Sequence, residues 1–334
     1  MDETRVSVIA PLYVNDELVQ LNGTRVDIRG AHVRPFPGVT VLGNMLAAIT
    51  PMPASCDIFH ATWYPARPRI PKGGRFIVTV HDMIAERYTD QVRGGKVQAA
   101  LKARAVAMAD MVFCVSRNTR ADLINILGVP EEKIRITHSA SPVSHAGPRL
   151  VDPDAPAILY VGHRGGYKNF KALAEAFLAS ARIRAHFRLA CFGGGAFTEE
   201  ERALFAGLPA HGAGSVTQTG GNDDALILAY RSARLLVCPS LYEGFGLTPL
   251  EAMSCGCPAL VAPCGSLPEV GGDAVAYCDD TSAEAIRVAM EQLLFDDREL
   301  ANLSTRGYER APVFNWPETS ARVLSAYREL TSGG

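Results

Sequence analysis

The chain has 334 residues, 48% of them apolar, with 33 Lys/Arg against 35 Asp/Glu and a net charge of −2. That length and apolar content are ample for a buried core and suggest about two domains. No stretch of about 18 residues stays apolar without a charge, which argues against a membrane-spanning helix, and the absence of a basic stripe interleaved with aromatics argues against a nucleic-acid partner. The opening "MDETRVSVIA" is too acidic and too short in apolar length for a signal peptide, so a cytoplasmic location is expected, at the farthest on the inner face of a membrane. Charge is unevenly spread: residues 1–150 hold 18 Lys/Arg against 13 Asp/Glu, and residues 151–334 hold 15 against 22. Either the first half faces an anionic membrane surface, with Arg93, Lys96, Lys102 and Arg104 as candidates, or these residues form solvated helix faces.

Apolar strands alternate with amphipathic helices almost throughout. Strands are expected at 5–14, 56–62 and 75–83, then a helix at 96–109 and a strand at 111–116. A helix over 116–128 follows, with Ser116 as its N-cap and Gly128 as its C-cap, and then a strand at 133–139. "HAGPRLVDPDAP" (145–156), with three prolines and few apolar residues, reads as a linker. The pattern then restarts. Strands are expected at 157–162, 187–195, 234–240, 258–263 and 274–278, and helices at 170–181, 224–233, 249–256, 282–295, 297–311 and 316–330. Such alternation implies an α/β fold whose parallel sheets are covered on both faces. It divides into a doubly wound unit over 1–148, a second over 149–315, and a last helix, 316–334, that returns to the first. Ligands of open α/β sheets bind outside the carboxyl ends of the strands, here in a cleft between the units.

Most of the eight cysteines lie in apolar runs such as "MVFCVS" and "LLVCPS" and read as buried free thiols. "CGC" at 255–257 has no matching pair or nearby histidine to complete a metal site.

"PSLYEGFGLTPLEAMSCGCPALV" (239–261) sets two acids, Glu243 and Glu251, on either side of a glycine turn that opens a helix. In structural terms Thr248 is an N-cap, Pro249 the first helical residue and Glu251 the end of a Thr-x-x-Glu capping box, while Glu243 is an exposed loop acid. The same geometry has a chemical reading. Free amides near Gly246, Leu247 and Thr248, together with the helix dipole, favour an anion such as phosphate. A carboxylate beside a phosphate would repel it, so the two acids make sense at hydroxyl-rich ends of a ligand, one on each side of the phosphates. A sugar joined through a diphosphate to a ribose and a base has that layout.

This stretch resembles the Glu-x7-Glu signature of the retaining glycosyltransferases of family 4, which have the GT-B fold. The resemblance extends through "YVGHRGGYKNF" (160–170), "LPEVGGDAV" (267–275), "FNWPE" (314–318), "TVHDM" (79–83), "VSRNTRADL" (115–123) and "GVPEEKIRI" (128–136), and so covers most of the chain. It implies that Glu251 holds the ribose hydroxyls of a nucleotide-sugar. Glu243 would contact the donor sugar, Gly244, Phe245, Gly246, Leu247 and Thr248 would form the loop around the diphosphate, and Lys168 would neutralise the departing phosphate. The structural alternative for Lys168 is a solvated residue ahead of a helix. Members of the family commonly place an arginine directly after the strand glycine; here His163 stands there and Arg164 follows, and Arg164 is favoured over His163 as the second cation. His81 would lie beside the reacting carbon, or else is a core histidine at a strand end. Asp82 would orient His81 or cap the next segment.

The resemblance also implies front-face displacement, in which the leaving phosphate oxygen takes the acceptor's proton. No Asp-x-Asp motif follows an apolar strand, and "DPD" at 152–154 lies in the linker, so no metal or other cofactor is expected beyond the nucleotide-sugar co-substrate. "HATWYPARP" and "VTVHDMIAERY" are similar to the bacterial mannosyltransferase-like members, which implies GDP-mannose as donor and a glycan or lipid-linked saccharide as acceptor. A UDP-sugar donor, a non-catalytic binding partner of another transferase and a sugar-nucleotide epimerase are the alternatives. The glycine-rich loop that follows the first strand in most relatives is not evident here.

Overall fold

Two faces of one sheet account for most of the core. In the computed structural model residues 6–13, 26–33, 46, 54–65, 68–143, 149–151 and 156–332 are described, apart from the side chains of 10–13, 26 and 30. Most of the 145–156 linker, the "DPD" at 152–154 and the segment 14–25 after the first strand lie outside the described residues. Contacts divide the chain into two compact units, Met1–Val78 with Leu101–Met111, and Thr79–Ala100 with Val112–Gly334.

In the first unit, β1 (Val6–Tyr13) pairs in parallel with β2 (Val26–His32), and β3 (Ile58–Ala61) pairs in parallel with β4 (Arg75–Val80). The Phe76 amide donates to Asp110 Oδ2 at 2.7 Å. Lys102 is fully buried with its ammonium 5.3 Å from the centre of the Tyr64 ring, so it neither faces an anionic surface nor belongs to a solvated helix face. A lysine stem is long enough to bury and its cation is favoured over an aromatic face. Arg93, Lys96 and Arg104 are exposed.

In the second unit, α1 (Ile84–Arg87) follows β4. Next in the chain come α2 (Gly95–Met108), whose residues from Leu101 on count with the first unit, then β5 (Met111–Cys114), α3 (Arg117–Leu127) and β6 (Ile134–Ile136). The four-stranded sheet is ordered β3-β4-β5-β6. α3 has the expected caps: Ser116 accepts from the Thr119 amide, and Gly128 closes the helix at φ 64°.

The larger sheet takes β7 (Ala157–Val161), β8 (Arg188–Phe192), β9 (Val216–Thr219), β10 (Ala233–Cys238), β11 (Ala259–Val261) and β12 (Ala276–Tyr277) in the order β12-β11-β10-β7-β8-β9, all in parallel pairings. Its central strands β7, β10 and β11 are mostly apolar because both faces are covered. Ile158, Tyr160, Leu235, Val237 and Leu260 point to one cluster with Leu173, Phe177 and Met290. Leu159, Leu236, Cys238 and Val261 point to the other, with Tyr230, Phe245 and Leu250.

The helices of this part are α4 (Phe170–Ala179), α5 (Ala181–His186), α6 (Glu199–Leu204), α7 (Asp223–Ser232), α8 (Leu247–Ser254), α9 (Leu267–Gly271), α10 (Ala283–Leu294) and α11 (Asp297–Arg310). The last helix, α12 (Trp316–Ser332), lies against β5 and β6: the Tyr327 ring stacks on Phe113 at 6.1 Å, and Arg135 pairs with Glu329. All eight cysteines are free thiols, six of them buried.

Candidate active site

The residues singled out in the sequence gather where β4, β7 and β10 end. Glu243 follows β10, and its Oε1 lies 2.7 Å from Lys168 Nζ, with the two side chains only 12% and 17% exposed. Burial pulls the Lys168 ammonium down, but the adjacent Glu243 carboxylate outweighs it and holds the lysine above its ordinary pKa. Lys168 is therefore no solvated residue ahead of a helix. Its neighbour Asn169 has φ 55°, the left-handed region, and its side-chain Nδ2 donates to the carbonyls of Pro239 (3.2 Å) and Thr281 (2.9 Å). Asn tolerates that conformation better than most residues, and the turn it makes fixes the lysine at the mouth of α4. Asn169 and its role are not marked by any spacing in the sequence, although an Asn at a helix mouth is a known turn former.

The glycine turn has two constraints of different kinds. Gly246 sits at φ 100° and is itself the N-cap of α8, with no side chain capping the helix. The expected capping box is absent: α8 begins at Leu247, which makes Thr248 the second helical residue and Pro249 the third. A glycine in the left-handed region starts the helix two residues earlier than a Thr cap would. Among the described residues no partner is found for the amides of Leu247 and Thr248, so both donors at the positive end of the helix are left for a ligand or water. The Thr-x-x-Glu box forms instead at Thr198 and Glu201 on α6. Gly244 is limited by space. A Cβ there would sit 2.0 Å from the His81 carbonyl oxygen and 2.7 Å from Asp82 Cβ, so the loop lies directly on the end of β4. Phe245 is buried, edge-on to Phe314 at 5.4 Å.

Glu251 lies one turn beyond Leu247 on the same side of α8. Its Oε2 accepts from the fully buried Tyr230 hydroxyl at 2.8 Å. Burial pushes its carboxyl above the ordinary glutamate range, and the Tyr230 hydrogen bond opposes that rise in part. No motif or spacing in the sequence marks Tyr230 as part of the site. The signal was there in principle, since a tyrosine inside the apolar run "ALILAYRSA" needs a partner for its hydroxyl.

His81 is exposed at the end of β4, which removes the core-histidine reading. Asp82 Oδ1 accepts from the Ile84 amide at 2.9 Å, so Asp82 caps the segment that follows.

Arg164, expected as the second cation, is engaged away from Lys168. Its side chain is 4% exposed and pairs with Glu201 at 2.8 Å. Its other donors reach the carbonyls of Gly193 (3.1 Å), Gly195 (3.0 Å) and Ala196 (2.9 Å). Three successive glycines with φ 82°, 72° and 74° curl round the guanidinium, an arrangement only glycines take without strain. His163 is the residue on Lys168's side: its Nε2 lies 3.2 Å from the Tyr167 hydroxyl, and burial, followed by the Lys168 charge, holds the imidazole below its usual pKa. Among the described residues no group of three His, Cys, Asp or Glu could hold a metal ion.

The family assignment follows from comparison with known proteins. The model of "Glycosyltransferase Family 4" matches residues 3–141, and that of "Glycosyl transferases group 1" matches residues 147–310. The O-antigen chain mannosyltransferase B of Escherichia coli is 30% identical over 276 residues, 77% of this chain and 71% of that protein. The chain belongs to the family 4 glycosyltransferases. A serotype-specific mannosyltransferase, WbdA, of Escherichia coli is 37% identical over 118 residues, which span 33% of this chain and 14% of that protein. Among solved structures, a sucrose-phosphate synthase from Thermosynechococcus elongatus superposes with a TM-score of 0.74 at 18% identity, covering 99% of this chain and 100% of that one. The fold is therefore the α/β GT-B fold of glycosyltransferases, and the transferase belongs with the mannosyltransferase-like members of its family.

Proposed function

We propose that this transferase moves mannose from GDP-mannose, with retention of anomeric configuration and without a metal ion, to a growing glycan or a lipid-linked saccharide. The observation that carries the reading is the Lys168–Glu243 pair beside the uncapped start of α8, with Glu251 one turn further on. The amides of Leu247 and Thr248 and the helix dipole suit a diphosphate. Lys168 stabilises the negative charge that grows on the leaving phosphate, an electrostatic contribution typically of about 3–4 kcal/mol. Glu251 accepts from the ribose diol and Glu243 from donor-sugar hydroxyls. The leaving phosphate oxygen takes the acceptor's proton, and His81, exposed at the end of β4, faces the sugar. With Lys168 and the helix amides supplying positive charge, the leaving group needs no bound cation.

The choice of mannose rests on the relatives named above. The matches over 3–141 and 147–310 support a division of the chain near residue 148. Among the described residues no helix is long and apolar enough to cross a membrane. Work at the inner face of a membrane suits a lipid-linked acceptor, and the exposed Arg93, Lys96 and Arg104 suit an anionic surface.

A thermal-shift screen with GDP, UDP, ADP and their sugars, followed by turnover with the stabilising donor in the presence of EDTA, tests this. Stabilisation by GDP and GDP-mannose, and a product with retained configuration made without metal, is the expected result. Stabilisation by UDP alone would replace the donor with a UDP-sugar, and loss of turnover in EDTA would overturn metal independence. Glu251→Ala should weaken nucleotide binding, while Glu243→Ala should mainly reduce turnover.

A further inference from the structure

Three buried polar side chains at the start of α3 touch the loop that carries Glu243. Ser116, Thr119 and Asp122 are spaced three residues apart and are 0%, 0% and 3% exposed. The Ser116 and Thr119 hydroxyls both donate to one carbonyl, that of Gly244, at 2.6 and 3.1 Å. Asp122 Oδ2 accepts from the Tyr242 hydroxyl at 2.6 Å, and the Arg87 guanidinium pairs with the same carboxylate. From the opposite side Ser266 Oγ donates to the Glu243 carbonyl at 2.9 Å. The residue before Glu243, its own carbonyl and the carbonyl after it are thus each fastened. Capping α3 would need only the acceptor role of Ser116. A carboxylate as buried as Asp122 is costly to keep without a partner that uses it.

We propose that Ser116, Thr119 and Asp122 are positioning residues that fix the Tyr242–Gly244 backbone and thereby aim the Glu243 carboxylate at the donor sugar. The proposal rests on the reading of Glu243 given above. Without these bonds the loop keeps its fold but the carboxylate wanders, and a displacement of about 1 Å at a reacting centre costs on the order of a hundred-fold in rate.

The experiment compares Tyr242→Phe, Thr119→Val and Thr119→Ser with wild type, with Ser304→Ala as a control that deletes a hydroxyl bonded to the Gly256 carbonyl elsewhere. It measures kcat with the donor that sustains turnover, Kd for the matching nucleoside diphosphate, and Tm. Tyr242→Phe and Thr119→Val should each lower kcat by about ten-fold or more with Kd unchanged, because the nucleotide is held by other groups. Thr119→Ser, which keeps the hydroxyl, should restore kcat, and Ser304→Ala should lower Tm without lowering kcat. Wild-type kcat in both deletion variants, alongside a collapsed kcat in Glu243→Gln, overturns the proposal. Full kcat in Glu243→Gln overturns instead the reading it rests on. Tyr242→Phe, which keeps the ring packing, carries the test if Thr119→Val does not fold.

Discussion

Lys168 and Glu243 form an ion pair 2.7 Å long, 75 residues apart in sequence, in a setting where water reaches little of either side chain. The pair brings together the ends of β7 and β10, adjacent strands at the centre of the larger sheet. Neighbouring parallel strands release their following loops on the same side of a sheet, which is why residues so distant in the chain meet there.

Replacing Lys168 by Met should lower kcat by on the order of a hundred-fold to a thousand-fold and cost about 2 kcal/mol of stability by leaving Glu243 unpaired. The lysine's folded pKa is raised above 10.5, so its contribution to stability is fully present below that pH and is lost as pH climbs through the raised value. Melting curves of the variant and wild type should therefore differ by a constant amount between about pH 6 and 9 and converge above about 10.5. A gap that stays open well above pH 10.5, or that closes between about pH 6 and 9, would contradict the pairing.

Glu251 gives a pH dependence of the same sense, in the acid range. Its carboxyl is raised above 4.5 by burial, so in the folded protein it favours the protonated form: it stabilises the fold below 4.5, and that contribution fades as pH rises through the raised pKa. A ribose diol is bound by the carboxylate, so nucleotide affinity should strengthen over the same window as pH rises. Calorimetric titration of GDP across the acid range should show this step in wild type and not in Glu251→Gln. Tyr230→Phe, which removes the hydrogen bond that lowers the pKa, should move the step to higher pH.

Arg164→Ala should act on the fold rather than the chemistry. It strips the Gly195 and Ala196 carbonyls and Glu201 of the arginine's donors. The expected loss is about 2–3 kcal/mol, seen as a lower Tm, with turnover falling only in proportion to the protein left folded. A selective loss of kcat at unchanged Tm would return Arg164 to the site.

The sequence made the Glu243–Glu251 stretch readable because residue type, spacing and turn chemistry agree there. It misled where a tertiary partner decides. Nothing local separates Thr248–Glu251 from Thr198–Glu201 as capping boxes; the left-handed Gly246 takes the N-cap of the first helix, while Thr198 caps the second. Nothing around Arg164 marks its partner, because Glu201, which captures it, is 37 residues away. The strands β2 and β9 went unread for a different reason. "VDIRGAH" and "VTQT" carry polar side chains, and β9 lies at a sheet edge, where one side needs no apolar cover. Ser116 was legible as a cap, but the second bond of its hydroxyl, to a carbonyl 128 residues on, was not.

The close fit of Gly244 on His81 sets a limit for engineering. Its φ is unremarkable, so the restriction is volume alone, and even a methyl group would collide with main chain. A library randomised at position 244 and selected for turnover should return glycine, and attempts to alter donor preference gain nothing by starting there. Leu247 and His163, whose side chains open to solvent beside the same loop, are the positions where new side chains can be accommodated.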